Sequence, residues 1–399
     1  MATCTPVMSI DEQDADAPSQ PGLAADHCFA EQQADLDRLA RRARFRSLKP
    51  AAGIDFSSND YLGLARAPRM ADAVRNAIER GVPVGSGGSR LLRGNDESHE
   101  ALEAEAAAFF GAEAALYFSS GYAANATLLS ALPQRRDLIV HDALIHASAH
   151  EGMRLSRADK AGVAHNDPQA FEDAIVKWRA GGGNGRVWIA VESLYSMDGD
   201  VAPLDDLIAL ADRHDAILLI DEAHATGVFG PAGRGLAAHL EGRGNVVTLR
   251  TCGKALGAEG ALVLGPRIVR DFLINRGRGF IFSTAPSPLM AEAVRESLKI
   301  LQDEPERRAT LHARIALAGE LLTPLGAQSH GTQILPLIVG QDEQAMAMAD
   351  RLQQEGFDIR GIRPPTVPAG TARLRISLTL NAMPDDIRRL AATLRELKA

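Results

Sequence analysis

Ile217-Leu218-Leu219-Ile220-Asp221-Glu222-Ala223-His224-Ala225-Thr226-Gly227 decides the reading of this chain, together with Thr251-Cys252-Gly253-Lys254-Ala255-Leu256-Gly257 further along. The first four residues are an apolar run of strand length, and Asp221 ends it. A second run, Val246-Val247-Thr248-Leu249, leads into a turn of small residues that carries Lys254. A carboxylate at the end of a central parallel strand faces the crevice where open α/β sheets bind ligands. A strand-end Asp, a His three residues on and a Lys after the next strand together suit pyridoxal 5′-phosphate (PLP). The aldehyde of that cofactor needs an amine to hold it, and its ring nitrogen needs a carboxylate to stay protonated. An N-cap would explain Asp221 by itself; its pairing with Lys254, the one lysine in such a setting, favours the cofactor.

Outward from these two runs, strand-like and helix-like segments alternate over about 240 residues. Strands are expected at 114–118, 187–191, 216–220 and 246–249, with helices at 123–131 and 204–214 among them. Strands separated by helices imply βαβ units and a mostly parallel central sheet flanked by helices. Beyond Pro286-Ser287-Pro288 a helical pattern runs over 289–301, followed by short strands at 333–339 and 372–378. The expected organisation is an N-terminal segment (1–55), a large α/β domain (56–285) and a smaller C-terminal α/β domain (286–399). Within the first segment, residues 1–30 lack apolar periodicity and are expected to be poorly ordered. A helix with Arg38, Arg41, Arg42, Arg44 and Arg46 is expected over 31–46.

Composition narrows the function classes. The formal charge of −8 over 399 residues argues against a general nucleic-acid binder. No apolar run reaches the ~18–20 residues that span a bilayer, and no basic head with an apolar core marks a secretory signal. Three cysteines, Cys4, Cys28 and Cys252, are too scattered for a disulfide framework or a zinc pattern, which fits a reducing cytoplasm.

Other residues gather around the proposed cofactor. In Phe118-Ser119-Ser120-Gly121-Tyr122-Ala123-Ala124-Asn125 a strand stops and a helix begins, and a helix N-terminus suits a phosphate; a plain serine N-cap explains the same residues. His224 could hydrogen-bond the phenolic oxygen of PLP. His141, His146 and His150 are clustered, but without the Glu of H-E-x-x-H a metal site is disfavoured, and a ring stacked on the cofactor suits His146 better. Gly85-Ser86-Gly87-Gly88-Ser89-Arg90 fails both nucleotide motifs and reads as a flexible turn near the site. Arg373 and Arg375 alternate onto one face of a strand. Arg373 is expected in a surface salt bridge, Arg375 and Arg363 on substrate carboxylates.

These residues resemble the α-oxoamine synthases, fold-type I PLP enzymes that condense an amino acid with an acyl thioester. The match covers 56–397 and rests on the order and spacing of many segments. They include Phe56-Ser57-Ser58-Asn59-Asp60-Tyr61-Leu62-Gly63-Leu64, Gly85 to Gly94 with His99, Ser196-Met197-Asp198-Gly199-Asp200, Phe282-Ser283-Thr284 and Ile362-Arg363-Pro364-Pro365-Thr366-Val367-Pro368, besides those around Ser120, His146, Asp221 and Lys254. The resemblance implies that Lys254 binds the aldehyde, Asp221 the ring nitrogen and His224 the phenolic oxygen, with His146 stacked on the ring. It implies that Ser120, Gly121, Tyr122 and Thr251 hold the cofactor, that Ser196 lies beside it, and that Thr284 reaches it from the other subunit of a homodimer. Asn59, Arg363 and Arg375 would meet substrate, and Arg46 with the other N-terminal arginines would meet CoA or carrier phosphates. Arg363-Pro364-Pro365 and the segment from Ser120 to Asn125 look most like the branch that joins L-alanine to a pimeloyl thioester, of CoA or of acyl carrier protein, in biotin synthesis. Glycine with acetyl-CoA or succinyl-CoA needs the same core. An aminotransferase shares the fold, and some relatives keep the fold as non-catalytic partners.

Overall fold

The computed structural model describes residues 28–398. Of the segment expected to be poorly ordered, residues 1–27 lie outside the described residues. The chain divides into two units, one ending at Leu48 and one beginning at Lys49. In the first, a helix spans Ala30–Arg41, with Arg38 bonded to Asp35 at 2.8 Å. It stops short of the expected Arg46 because Ala43 takes a left-handed conformation (φ 54°), which ends a helix.

The second unit is built on a seven-stranded sheet. Its strands are β1 (Ala114–Phe118), β2 (Leu138–Asp142), β3 (Asp159–Val163), β4 (Val187–Glu192), β5 (Ile217–Asp221), β6 (Val246–Thr251) and β7 (Ala261–Gly265). They lie in the order β1-β7-β6-β5-β4-β2-β3. Four neighbouring pairs are parallel, while β7 runs antiparallel to both β1 and β6. The mostly parallel α/β sheet expected from the sequence is therefore present. Helices cover both faces, so strands such as β4 are buried at every residue and read as unbroken apolar runs. Successive side chains of β5 enter different clusters: Leu219 packs with Phe118 and Leu249 on one face, Leu218 and Ile220 with Val140 and Leu207 on the other.

After β7, the helix Pro288–Asp303 packs on the helices Pro68–Glu79 and Glu97–Phe110. A three-stranded antiparallel sheet follows, made of β8 (Ile334–Gly340), β9 (Arg360–Ile362) and β10 (Ala372–Ser377), with β10 in the centre. One apolar cluster joins Leu298, Leu335 and Ile376 to Phe56, Tyr61 and Leu256. That continuity sets β10 against the end of the large sheet where β5 and β6 finish. No described helix is long and apolar enough to cross a membrane.

Candidate active site

The C-terminal ends of β1, β2, β4, β5 and β6 all open on one edge of the sheet, where ligands of such sheets bind. Asp221 is the last residue of β5 and lies in register with Glu192, the last of β4. Asp221 Oδ1 accepts from the Ala223 amide (2.9 Å) and Oδ2 from Asn125 Nδ2 (2.6 Å). Both are N–H donors, so each oxygen of this buried carboxylate has a partner. Asn125 also donates to Ser148 Oγ (3.1 Å), which lies 2.8 Å from His146 Nδ1. Asp221 and His146 are thus tied together through Asn125 and Ser148. Burial, then the neighbouring Asp221 charge, pushes Glu192 well above the usual carboxylate range. Burial therefore favours the neutral form of Glu192.

Lys254 leaves β6 in a tight turn in which the Gly253 amide meets Thr251 Oγ1 at 3.3 Å. Gly257 closes the turn at φ +62°, and a Cβ there would come 2.5 Å from the Ala65 amide nitrogen. Lys254 Nζ lies 2.6 Å from His224 Nε2, and His224 Nδ1 lies 2.6 Å from Tyr61 Oη. Tyr61 donates to Asn59 Oδ1 (3.0 Å), which also accepts from Arg375 (3.0 Å). Burial holds His224 well below its ordinary pKa, and Lys254, Arg375 and His146 add to that. A neutral ring fixes one consistent chain: Lys254 donates to Nε2, Nδ1–H donates to Tyr61, and Tyr61 donates to Asn59. Burial also lowers Lys254, and the attraction of Asp221 restores it only in part, leaving it at about 8. A pKa brought down toward neutrality raises the share of free amine that carbonyl capture requires.

Arg375, buried on β10, is oriented by bonds to the Ser196 carbonyl and Ser377 Oγ, both 2.6 Å. Lys254, His224, Asn59, Arg375 and the Ser196 backbone therefore meet in one network. Ser120 caps the helix Gly121–Ala131, accepting from Ala123 at 3.1 Å, and Thr251 stands opposite Gly121. Thr284 lines a small cleft with Ser119 and Arg90. Arg363 is buried and donates to Met346 Sδ. Tyr122 and Arg46 are exposed.

Two expectations need correction. Arg373 makes no surface bridge: it is buried and bonded to Asp198 Oδ1 (2.6 Å) and the Met197 carbonyl (3.3 Å), because β10 is the central strand of its sheet. The glycine-rich turn at 85–90 is pinned, through Ala285 N to Gly88 O (2.9 Å) and Arg90 to Glu103 (2.8 Å). Tyr61, Asn125, Glu192 and Ser148 were missed as site residues, although Tyr61, Asn125 and Ser148 stand inside matched motifs.

Residues 51–394 match the family model of aminotransferase class I and II. The 8-amino-7-oxononanoate synthase of Geobacter sulfurreducens is 43% identical over 90% of this chain and 96% of its own length. That of Burkholderia thailandensis is 44% identical over 90% and 95%. The chain belongs to the 8-amino-7-oxononanoate synthase family. Among solved structures, serine palmitoyltransferase from S. paucimobilis, with PLP bound, superposes with a TM-score of 0.83 at 25% identity, over 93% of this chain and 98% of that one. The 8-amino-7-oxononanoate synthase of Francisella tularensis does so with a TM-score of 0.73 at 28% identity, over 87% and 98%. Like its family, the chain is a PLP-dependent acyltransferase. Its residues fit that cofactor: an amine with a depressed pKa, a buried carboxylate that accepts from two N–H groups, and a helix start capped by Ser120 with Thr251 opposite Gly121.

Proposed function

We propose that this chain condenses L-alanine with the pimeloyl thioester of CoA or acyl carrier protein, releasing CO2 and the thiol carrier and forming 8-amino-7-oxononanoate for biotin synthesis. The observation that carries this reading is the Lys254–His224–Tyr61–Asn59–Arg375 chain beside Asp221, in a sequence 43% identical to synthases of that name. When bound, PLP supplies an aldehyde that captures the amino acid's nitrogen and a ring that spreads the charge left at Cα. Lys254 holds the cofactor and then takes the Cα proton, for which an amine near pKa 8 is well matched. Asp221 would hold a proton on the ring nitrogen, and Asn125, bonded to its Oδ2 at 2.6 Å, fixes the carboxylate in place. His224 is the partner of the phenolic oxygen, and His146 covers the ring. Ser120, Gly121, Tyr122 and Thr251 hold the phosphate, with Ser196 beside the ring. Arg375, supported by Asn59, takes the alanine carboxylate; Arg363 is the candidate for the distal carboxylate of the pimeloyl chain, and Arg46 for carrier phosphates. Products formed from alanine or glycine with a panel of acyl-CoAs, read by mass spectrometry, test the reading; transamination without thiol release would overturn it.

Arg375→Lys should weaken alanine about tenfold, since an ammonium cannot reproduce the two parallel bonds of a guanidinium fork. The absorbance of the bound cofactor should stay as in the wild type. Titrating alanine into the holoenzyme while following that band measures both.

We also read the working form as a cytoplasmic homodimer, with 56–285 as its cofactor domain and 286–399 as its small domain. Val84, Leu92 and Phe282 are 73%, 81% and 70% exposed in the single chain. They sit on segments that are bonded together, Ser287 Oγ donating to the Val84 carbonyl at 2.6 Å. An exposed apolar patch of this kind fits a second copy. Thr284 lies on the same segment and would serve the other subunit's phosphate. Mixed Lys254→Ala and Thr284→Ala subunits should then regain more activity than the two parents summed; no gain would refute shared sites.

A further inference from the structure

His165 stands between two carboxylates. Its Nδ1 lies 2.8 Å from Asp142 Oδ1 and its Nε2 lies 2.7 Å from Asp200 Oδ2. A neutral imidazole has one N–H and one lone pair, so it could satisfy only one of them. Asp142 also accepts from the amides of Leu144 and Asn166, both at 2.8 Å, and Asn166 Nδ2 reaches Asp200 at 2.9 Å. The Tyr195 ring stands perpendicular to the imidazole, centroids 4.5 Å apart. Burial lowers the pKa of His165, but the bonds to Asp142 and Asp200 outweigh that and raise it to about 10. The ring is therefore a fixed cation over the working pH range.

Asp200 ends a turn that begins at Tyr195. The turn is closed by Tyr195 N to Asp200 O (3.0 Å) and Gly199 N to Tyr195 O (2.9 Å). Gly199 has φ +72°, and a Cβ there would strike the Ile334 carbonyl at 2.2 Å, so the turn sits hard against β8. Its other side meets β10: Ser196 O accepts from Arg375, and Asp198 pairs with Arg373. The turn is thus tied to β2 through His165 at one end and to both β10 arginines at the other.

We propose that His165 is a positioning residue, an imidazolium clamp that fixes the turn 195–200 and through it the guanidinium of Arg375. Arg373 and Asp198 form the parallel strut of the same device. The proposal rests on the reading of Arg375 as the site of the amino acid's carboxylate. It assigns work to two acids and a histidine that do not touch the reacting atoms.

The test uses holoenzyme and L-alanine, with affinity read from the cofactor absorbance and Tm measured alongside. His165→Phe keeps the ring against Tyr195 and removes both N–H groups; Asp200→Asn keeps the shape and removes one charge. Both should weaken alanine about tenfold and raise its KM more than they lower kcat. Added to Arg375→Lys, either should cost less than the product of the single losses, since both act through one guanidinium. A lowered Tm with wild-type alanine affinity in both variants would make the cluster a fold element only and overturn the proposal, as would multiplicative losses. Weak alanine binding in Arg375→Lys with normal binding in the clamp variants removes the clamp alone. Normal binding in Arg375→Lys removes the carboxylate reading on which it rests.

Discussion

Replacing Lys254 by alanine should lower turnover roughly ten-thousand-fold, the upper end of what a positioned proton-transfer group contributes. The size follows from the crevice: Lys254 is the one lysine whose Nζ joins the His224–Tyr61–Asn59–Arg375 chain. None of these partners is a second amine that could capture a carbonyl. The variant should still fold, because the turn is fixed by Gly257 and Thr251 rather than by the lysine. Borohydride should attach the cofactor to wild-type protein at Lys254 and leave the variant unlabelled. The pH dependence has a definite sign. The neutral amine is the reactive form, and in the chain without cofactor its pKa is lowered to about 8. Cofactor uptake by the apoprotein should therefore accelerate as pH rises from 6 and level off above about 8, where an unperturbed lysine would still be accelerating. Uptake rates flat across that interval, or wild-type turnover in Lys254→Ala, would remove Lys254 from its role.

Asp221 and Lys254 were legible in the sequence because each stands directly after an apolar run of strand length, and strand ends of a parallel sheet converge on one edge. The helix start at Ser120 was legible for the same reason. Tyr61 was not singled out, since its partner His224 lies 163 positions away and nothing in the local pattern separates it from the core tyrosines. Asn125 reaches Asp221 across 96 positions, and its helix reads as ordinary apolar packing. Arg373 and Arg375 share a face of β10, so alternation alone could not tell which would meet Asp198 and which the crevice. The antiparallel direction of β7 was legible in principle. Only residues 252–260 separate it from β6, too few for the crossover a parallel neighbour requires. His165 is the hardest case: a lone histidine in a loop carries no signal until the fold brings Asp142 and Asp200 to either side of it.

Asp221→Asn should cut turnover roughly a hundredfold or more while leaving most of the bound cofactor in place. A hydrogen bond to a charged group contributes about 1.5–3 kcal/mol net, and each ~1.4 kcal/mol in a barrier is tenfold in rate. On the proposed reading this carboxylate also fixes a proton on the ring nitrogen, so its loss would weaken the step that leaves charge at Cα more than the steps that hold the cofactor. On the same reading retention rests on other groups, namely Lys254, the helix start at Ser120 and Gly121, and Thr251. Neighbouring contacts limit collateral damage: an amide oxygen at position 221 can still accept from Asn125 Nδ2 or from the Ala223 amide. The deficit should appear in exchange of the alanine α-proton in deuterated water, measured by NMR on holoenzyme with no thioester present. Exchange at the wild-type rate would leave Asp221 as a cap on the Ala223 amide and nothing more. Exchange lost together with the cofactor would place it among the groups that retain PLP rather than those that activate it.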